Sequence, residues 1–134
     1  MSIDVLTVDY NDPDASKKFE NSLKSSGFVI VKNHPIDKDL ISKVYNEWVA
    51  FFNSKDKFDL LYDENSQDGY FPYLTENAKD SNIKDLKEFY HIYLPWGRIP
   101  ETINKDTIKI RNILVNIGAN ILGWIEENTP NKVS

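Results

Sequence analysis

Apolar residues recur at helical spacing in three segments of this chain, and each segment carries its own boundary signals. The first predicted helix covers residues 12–25, where Asp12 is the N-cap and Pro13 takes the first helical position. The second follows the candidate N-cap Asp37 and either frays near residues 53–54 or continues a little through Lys57. The third covers residues 104–127 and is stopped by Thr129-Pro130.

The apolar stripes of these helices define a candidate core. The first helix contributes Ala15, Phe19 and Leu23, and the second contributes Leu40, Ile41, Val44, Tyr45, Trp48, Val49 and Phe52. The third contributes Ile110, Ile113, Leu114, Ile117, Ile121, Leu122, Trp124 and Ile125. Gly118 and Gly123 interrupt the third helix, at a cost of ~1 kcal/mol each relative to alanine unless something packs closely there.

Shorter segments are predicted to be extended. Residues 3–8 alternate weakly, and residues 28–31, which follow a helix-ending Gly27, form a β-branched apolar run typical of a buried strand. Residues 69–72 are extended because Pro72 restricts the residue before it. Residues 83–94 also fit helical spacing, but the aromatic and β-branched content of residues 89–94 favours a strand there.

Together these patterns predict an α+β fold with three main helices and two or three short strands. The helices have generous apolar faces, whereas the strands have few partners within the chain. Two strands do not form a stable sheet alone. The chain is therefore expected to be a piece whose sheet is completed by something else.

Composition fits one folded, acidic domain or part of one. The 134 residues are 40% hydrophobic and 13% aromatic, with a formal net charge of −5, which argues against a nucleic-acid surface. The absence of cysteine excludes a disulfide scaffold, a cysteine zinc site and a thiol nucleophile. The start lacks the features of a signal peptide, and no apolar run approaches the ~20 residues of a membrane span, so a cytoplasmic location is expected.

Few side chains offer catalytic chemistry. A mononuclear iron site of the facial-triad type needs two imidazoles and one carboxylate. The sequence has two histidines, His34 and His91, and neither belongs to a His-x-Asp or His-x-Glu pair. The simpler interpretation makes His34 a turn residue bonded to the local backbone and His91 a strand residue packed by aromatic rings. A nucleophile elbow and a glycine-rich phosphate loop are also missing.

Two further patterns stay open. Asp85 and Glu88 could act as paired carboxylates if their segment were helical, although a solvated edge is the simpler interpretation. An unusual density of aromatic residues could line a small-molecule pocket or, as is commoner, belong to the core. These residues are Tyr70, Phe71, Tyr73, Phe89, Tyr90, Tyr93 and Trp96.

Several motifs lie in an order that resembles a known family. They are Gly27-Phe-Val-Ile-Val-Lys-Asn-His34, a helix ending in Phe51-Phe-Asn-Ser-Lys-Asp-Lys57, Gly69-Tyr-Phe-Pro72 and Asp85-Leu-Lys-Glu-Phe89. This order resembles the N-terminal region of the non-haem Fe(II), 2-oxoglutarate-dependent oxygenases, in particular the group that contains isopenicillin N synthase. Pro35 stands where that family often has glycine, a departure that affects only the turn.

The resemblance implies an architecture for the whole chain. In that family this region packs its helices against a double-stranded β-helix (jelly-roll) core and lends strands to the core's major sheet. Residues 1–134 would be a non-haem dioxygenase N-terminal domain from which the catalytic β-helix core is missing. The helix over residues 104–127 would run along the outside of that core.

The resemblance also bears on cofactors. The family's iron and 2-oxoglutarate ligands, His-x-Asp with a distant His and Arg-x-Ser, have no counterparts here, because neither Arg98 nor Arg111 is followed by x-Ser. Fe(II) and 2-oxoglutarate are therefore expected only in a full-length form, with no catalytic, metal-binding or cofactor-binding residue in this chain.

Substrate contacts are the one site function that the resemblance carries over. In isopenicillin N synthase they include an Arg-Asn-Gly-Tyr-Tyr stretch, which is similar to Gln67-Asp-Gly-Tyr-Phe71. This implies substrate-facing positions at Gln67 and Phe71, with Tyr90 on the later strand. Glutamine in place of arginine and phenylalanine in place of tyrosine remove a charge and a hydroxyl, which argues against a tripeptide carboxylate as substrate.

Two functions from different classes follow. The first is the N-terminal part of an oxygenase, which supplies scaffold and substrate-pocket wall, is not catalytically competent alone, and docks a catalytic core on its exposed apolar face. The second is a free-standing protein-binding module, with homodimerisation through the unpaired strands as an intermediate possibility.

Overall fold

The computed structural model describes residues 5–77, 79, 82–103 and 105–130. Its elements, in chain order, are β1 (Thr7–Asp9), α1 (Ala15–Ser26), β2 (Ile30–Lys32), α2 (Lys38–Asn53), a 3₁₀ helix (Asp56–Leu60), β3 (Gly69–Phe71), β4 (Phe89–His91) and α3 (Lys105–Glu127). β1 pairs with β2 in parallel and β3 pairs with β4 antiparallel, as two separate two-stranded sheets. The predicted α+β fold with three main helices is confirmed, and the described residues form no closed barrel.

The described residues form two compact units, each with its own core. The first unit comprises Met1–Ile41 and Ile108–Ser134, and the second comprises Ser42–Thr107. Val8, Ala15, Phe19, Leu40 and Ile117 are buried in the first unit, and Val44, Phe51, Tyr70 and Ile103 are buried in the second.

Helix α1 begins at Ala15, later than the sequence predicts. The carboxylate of Asp12 accepts a hydrogen bond from the Asp14 amide at 2.9 Å, which holds an Asx turn ahead of the helix. Asp14 therefore occupies the N-cap position, without a side-chain cap. At the other end, Gly27 takes the predicted left-handed conformation with φ 77°.

The buried side of α1 also differs from its predicted stripe. Leu23 is 36% exposed, whereas Ser22 is fully buried. The Ser22 hydroxyl accepts from the Leu6 amide at 3.1 Å and donates to the Phe28 carbonyl at 2.7 Å. It therefore links α1 to the segments that precede β1 and β2. A buried hydroxyl bonded on both sides costs little, and an apolar stripe does not reveal it.

The two strands of the first sheet are shorter than predicted and displaced toward the C-terminus. β1 occupies Thr7–Asp9, although residues 3 and 4 of the predicted strand lie outside the described part of the chain. β2 occupies Ile30–Lys32, and the predicted burial of residues 28–31 is wrong for this chain, since Phe28 is 70% and Ile30 55% exposed. Side chains at a sheet are buried by elements that pack on its faces, and the described residues leave Phe28 and Ile30 largely uncovered.

Helices α2 and α3 match their predicted extents. The Asp37 carboxylate accepts from the Asp39 amide at 2.8 Å, as expected of the N-cap of α2. Phe51, which lies outside the predicted stripe, is only 1% exposed, while the predicted core residues Tyr45 and Leu122 are exposed. Within the described residues no helix is long and apolar enough to cross a bilayer.

Candidate functional site

The short sheet of β3 and β4 gathers most of the aromatic residues that the sequence singles out. Gly69 pairs with His91, Tyr70 with Tyr90, and Phe71 with Phe89. Because successive side chains of a strand point to opposite faces, this register fixes two sets of rings. Tyr70 and Tyr90 share one face, while Phe71, Phe89 and His91 share the other.

The Tyr70–Tyr90 face is filled from within the second unit. Tyr70 is 1% exposed, and the Tyr90 ring lies 5.6 Å from Trp48 and 5.5 Å from Phe51 on α2. The Tyr90 hydroxyl donates to the Arg98 carbonyl at 3.0 Å, and burial raises the pKa of that hydroxyl. Tyr70 is core, in line with the commoner interpretation of the aromatic density, and Tyr90 packs against α2 while keeping intermediate exposure.

The opposite face, which we call the Phe71 face, is a partly exposed run of rings: Phe71, Phe89, His91 and the adjoining Tyr62. Phe71 and Phe89 stack with centroids 4.4 Å apart and planes 13° from parallel. The His91 ring lies 4.8 Å from Phe71 and 5.0 Å from Phe89, and Tyr62 lies 4.4 Å from Phe71. All four side chains are of intermediate exposure, so molecules outside the unit can reach them.

An ion pair between a buried carboxylate, Asp68, and the partly exposed Arg98 orders the loop that leads into β3. Asp68 is fully buried and accepts from Arg98 Nε at 3.1 Å, from the Arg98 backbone amide and from the Ser66 hydroxyl at 2.5 Å. The Arg98 guanidinium also donates to the Leu61 carbonyl at 2.8 Å. Burial alone would raise the pKa of Asp68, but the Arg98 and Ser66 bonds and the Arg98 charge outweigh it and hold the pKa at about 2.

Gly69 follows directly in this cluster and cannot be replaced without strain. Its φ is +115°, and a Cβ there would lie 2.7 Å from the Leu61 carbonyl oxygen and 2.8 Å from the Arg98 guanidinium. The close approach of two chain segments therefore requires glycine at the start of β3.

A second polar network fixes the other end of the sheet. Glu88 accepts from the Tyr70 hydroxyl at 2.6 Å and from Lys57 at 2.9 Å. Burial would raise the pKa of Glu88, but these bonds and the lysine charge lower it. Hydrogen bonding to Glu88 in turn raises the pKa of Lys57 despite its burial.

This network corrects the interpretation of Asp85 and Glu88. The segment before β4 is not helical, so the two carboxylates are not paired on one helix face. Nor does Glu88 lie on a solvated edge, since its side chain is 15% exposed and bonded to Lys57, whereas Asp85 pairs with Lys87 at 3.1 Å.

Of the three residues predicted to face a substrate, Phe71 and Tyr90 lie on opposite faces of the sheet. Gln67 is exposed, with a left-handed φ of 62°, and its side-chain Nε2 donates to the Glu64 carbonyl at 3.0 Å. Phe71 lies on the partly exposed face and Tyr90 on the packed face. Phe89 and His91 share the Phe71 face, which the sequence pattern alone does not indicate. The alternation of side chains along β4 predicts that Phe89 and His91 share a face. Only the pairing of β4 with β3 shows that Phe71 lies on that face too.

The two histidines have separate surroundings. His34 Nδ1 accepts from the Ile36 amide at 3.3 Å, as expected of a turn residue, while His91 lies among rings on β4. Among the described residues, no group of three or more histidine, aspartate or glutamate side chains could hold a metal ion.

Comparison with known proteins identifies the family. The model of the family described as "non-haem dioxygenase in morphine synthesis N-terminal" matches residues 2–113. No curated protein matches the chain.

Solved structures agree with the family match. A protein from Shewanella oneidensis, described as an oxygenase, is 38% identical over 94% of this chain with a TM-score of 0.80. A Caulobacter crescentus protein assigned to the 2OG-Fe(II) oxygenases is 22% identical over 92% of this chain with a TM-score of 0.69. Neurospora crassa T7H, solved with alpha-KG and thymine, is 18% identical over 86% with a TM-score of 0.57.

This chain spans less than half of each of those structures, namely 43% of the Shewanella chain, 48% of the Caulobacter chain and 44% of the Neurospora chain. The two structures under 25% identity support the fold alone. Since the family model covers most of the sequence, the chain belongs to the N-terminal region family of the non-haem dioxygenases.

Proposed function

We propose that this chain is the N-terminal part of a 2-oxoglutarate/Fe(II)-dependent oxygenase, where it supplies scaffold and part of the substrate-pocket wall. The observation that carries this proposal is the 38% identity and TM-score of 0.80 to an oxygenase of which the chain spans 43%. On this proposal residues 1–134 are one N-terminal domain, and the catalytic β-helix core belongs to another part of the protein.

The residues of this chain do not fit the iron or 2-oxoglutarate themselves. A facial triad needs two histidines and a carboxylate around one point. The described residues offer no such cluster, and the Arg98 guanidinium already donates hydrogen bonds to Asp68 and to the Leu61 carbonyl. Fe(II) and 2-oxoglutarate would be held elsewhere in the intact oxygenase, so no chemical step is assigned to this chain.

Within this function, Gln67 and Phe71 are proposed to face the substrate. Both are accessible, and the Asp68–Arg98 pair orders the loop between them. Tyr90 would act from behind, because its ring packs on α2 and supports the sheet that presents Phe71.

The test is a measurement on the intact protein from its source cells. We expect a mass well above 15.6 kDa and Fe(II)-dependent conversion of 2-oxoglutarate to succinate. Phe71→Ala should impair substrate-stimulated turnover and leave the slow turnover without substrate unchanged. Tyr45→Ala, which removes an exposed aromatic ring on α2, is the matched control. An endogenous product of 15.6 kDa with no such activity would favour a free-standing binding module instead.

A further inference from the structure

We propose that the Phe71 face is built for a neutral substrate with a flat, unsaturated ring, and that Phe89 and His91 contact it together with Phe71. This inference rests on the proposed function and deepens it by naming the substrate class. It also reassigns the contact on β4 from Tyr90 to its two neighbours.

The register of the sheet is the first step. Phe71 pairs directly with Phe89, and His91 lies two residues beyond Phe89, so the three side chains emerge on one face. Any ligand that touches Phe71 from outside the unit meets Phe89 and His91 as its next neighbours. The Tyr90 side chain lies on the other face, where its hydroxyl donates a hydrogen bond to the Arg98 carbonyl.

The Phe71 face is composed of aromatic rings in close contact. Phe71 and Phe89 are nearly parallel at 4.4 Å, and Tyr62 and His91 flank them at 4.4 and 4.8 Å from Phe71. Aromatic pairs gain ~0.5–1.5 kcal/mol beyond the area that they bury, whereas a saturated ring gains the area alone. A planar ring would therefore bind here more tightly than a saturated ring of the same size.

Three cations beside the sheet, Lys87, Lys57 and Arg98, are already paired. Lys87 lies 5.1 Å from the Phe89 ring centroid but is held by Asp85 at 3.1 Å and Glu76 at 3.5 Å. Lys57 pairs with Glu88 and Arg98 with Asp68. A carboxylate or phosphate entering this face would find no unpaired cation among them, which favours a neutral ligand.

The His91 imidazole adds a hydrogen-bonding group to this face. Within the described part of the chain it makes ring contacts only, to Phe71, Phe89 and Tyr93, and no hydrogen bond. The other histidine, His34, is bonded to the Ile36 amide. An imidazole without a bonding partner at the edge of a stack of rings is suited to a hydroxyl or carbonyl on the bound ring.

The experiment is a titration of the intact protein labelled with ¹³C at the histidine rings. Benzyl alcohol is the probe, and cyclohexylmethanol and benzoate are its matched saturated and anionic counterparts. We expect saturable shifts of the His91 signal with benzyl alcohol and none of the His34 signal. Binding should be about two- to tenfold weaker for cyclohexylmethanol. The His91 signal is assigned by its loss in His91→Gln.

Variants locate the contact. Phe89→Leu should weaken benzyl alcohol binding by a similar two- to tenfold factor. Tyr90→Phe, which removes only the hydroxyl on the packed face, should leave it unchanged. The proposal is overturned if His91 does not respond, if cyclohexylmethanol or benzoate binds as tightly as benzyl alcohol, or if Tyr90→Phe weakens binding as much as Phe89→Leu.

A second readout separates this inference from the proposed function. Succinate formation from 2-oxoglutarate by the intact protein tests the function without reference to the ring. Turnover that is stimulated only by saturated or anionic compounds would refute the substrate class and leave the oxygenase assignment standing. The lack of any 2-oxoglutarate turnover would refute the assignment itself, whatever the titration shows.

Discussion

The charges inside the second unit depend on partners that are remote in sequence. Asp68 lies in the polar loop before β3, yet it is fully buried and bonded to Arg98, thirty residues further along. A local pattern contains no sign of which carboxylate in such a loop will be buried. The residues around Arg98 in the sequence match no cofactor-binding motif. Only the fold shows that Arg98 has a structural role as the partner of Asp68.

Replacement of Asp68 by asparagine should destabilise the chain and flatten its response to acid. The pKa of Asp68 is about 2 in the fold, below its ordinary value of 3.8. A lowered pKa means that the carboxylate contributes stability above its unfolded pKa and loses it as pH falls through the folded one. The difference corresponds to about 2 kcal/mol. We expect Asp68→Asn to lower the free energy of unfolding by about that amount at neutral pH, and urea titrations at neutral and acid pH measure both effects.

The control for this prediction is Glu101→Gln, which removes an exposed carboxylate from the same unit. Exposed substitutions of this kind change stability by about 0.5 kcal/mol or less. Equal losses in the two variants, or an acid response in Asp68→Asn as steep as in the unmodified protein, would contradict a stabilising role for the Asp68–Arg98 pair.

At the level of elements, the helices were predictable and the strands only partly so. The extents of α2 and α3 follow from apolar spacing and an N-cap, which are local signals. The strands are three residues long, and their limits and exposed faces depend on pairings such as Thr7 with Ile30 that no local pattern encodes. For the same reason the family resemblance predicts a substrate-facing position at Phe71 alone on this face, whereas only the register shows that Phe89 and His91 share the face.

Helix α3 should become more stable when its glycines are replaced. The sequence leaves open whether close packing explains Gly118 and Gly123, but apart from the adjacent backbone of α3 itself, a Cβ added at either would meet no described atom within 4 Å. Alanine lowers the entropy of the unfolded chain and favours the helix. Gly118→Ala and Gly123→Ala should each raise the free energy of unfolding by ~0.5–1 kcal/mol in thermal or urea denaturation.

Gly69→Ala provides the opposite case. Its positive φ and the carbonyl oxygen 2.7 Å from the added Cβ predict a loss of ~1 kcal/mol or more. If the two α3 variants were also destabilised, another part of the intact protein would have to pack closely against that helix, and the glycines would mark that contact.

For the whole molecule, the main question is what covers the apolar side chains that this chain leaves exposed. Phe28 is 70% exposed and Ile30 55%, and both lie at a two-stranded parallel sheet. Parallel sheets are normally covered on both faces. Relatives have more than half of their length beyond the part that this chain matches, so additional chain could supply the cover.

Phe28→Ser in the intact protein measures that cover. Burial of a phenylalanine side chain is worth about 1.5–3 kcal/mol, so a loss of this size means that Phe28 is covered in the intact protein. Val8→Ala, at a position only 1% exposed, gives the reference cost of a buried site in the same unit. A Phe28 loss that does not vary with protein concentration indicates cover by the same polypeptide, as the oxygenase proposal requires. A loss of unfolding free energy that grows with protein concentration indicates that a second copy of the protein covers Phe28, because association stabilises a dimer by mass action. A loss below about 0.5 kcal/mol would leave the face open, as expected of a module that binds a separate partner.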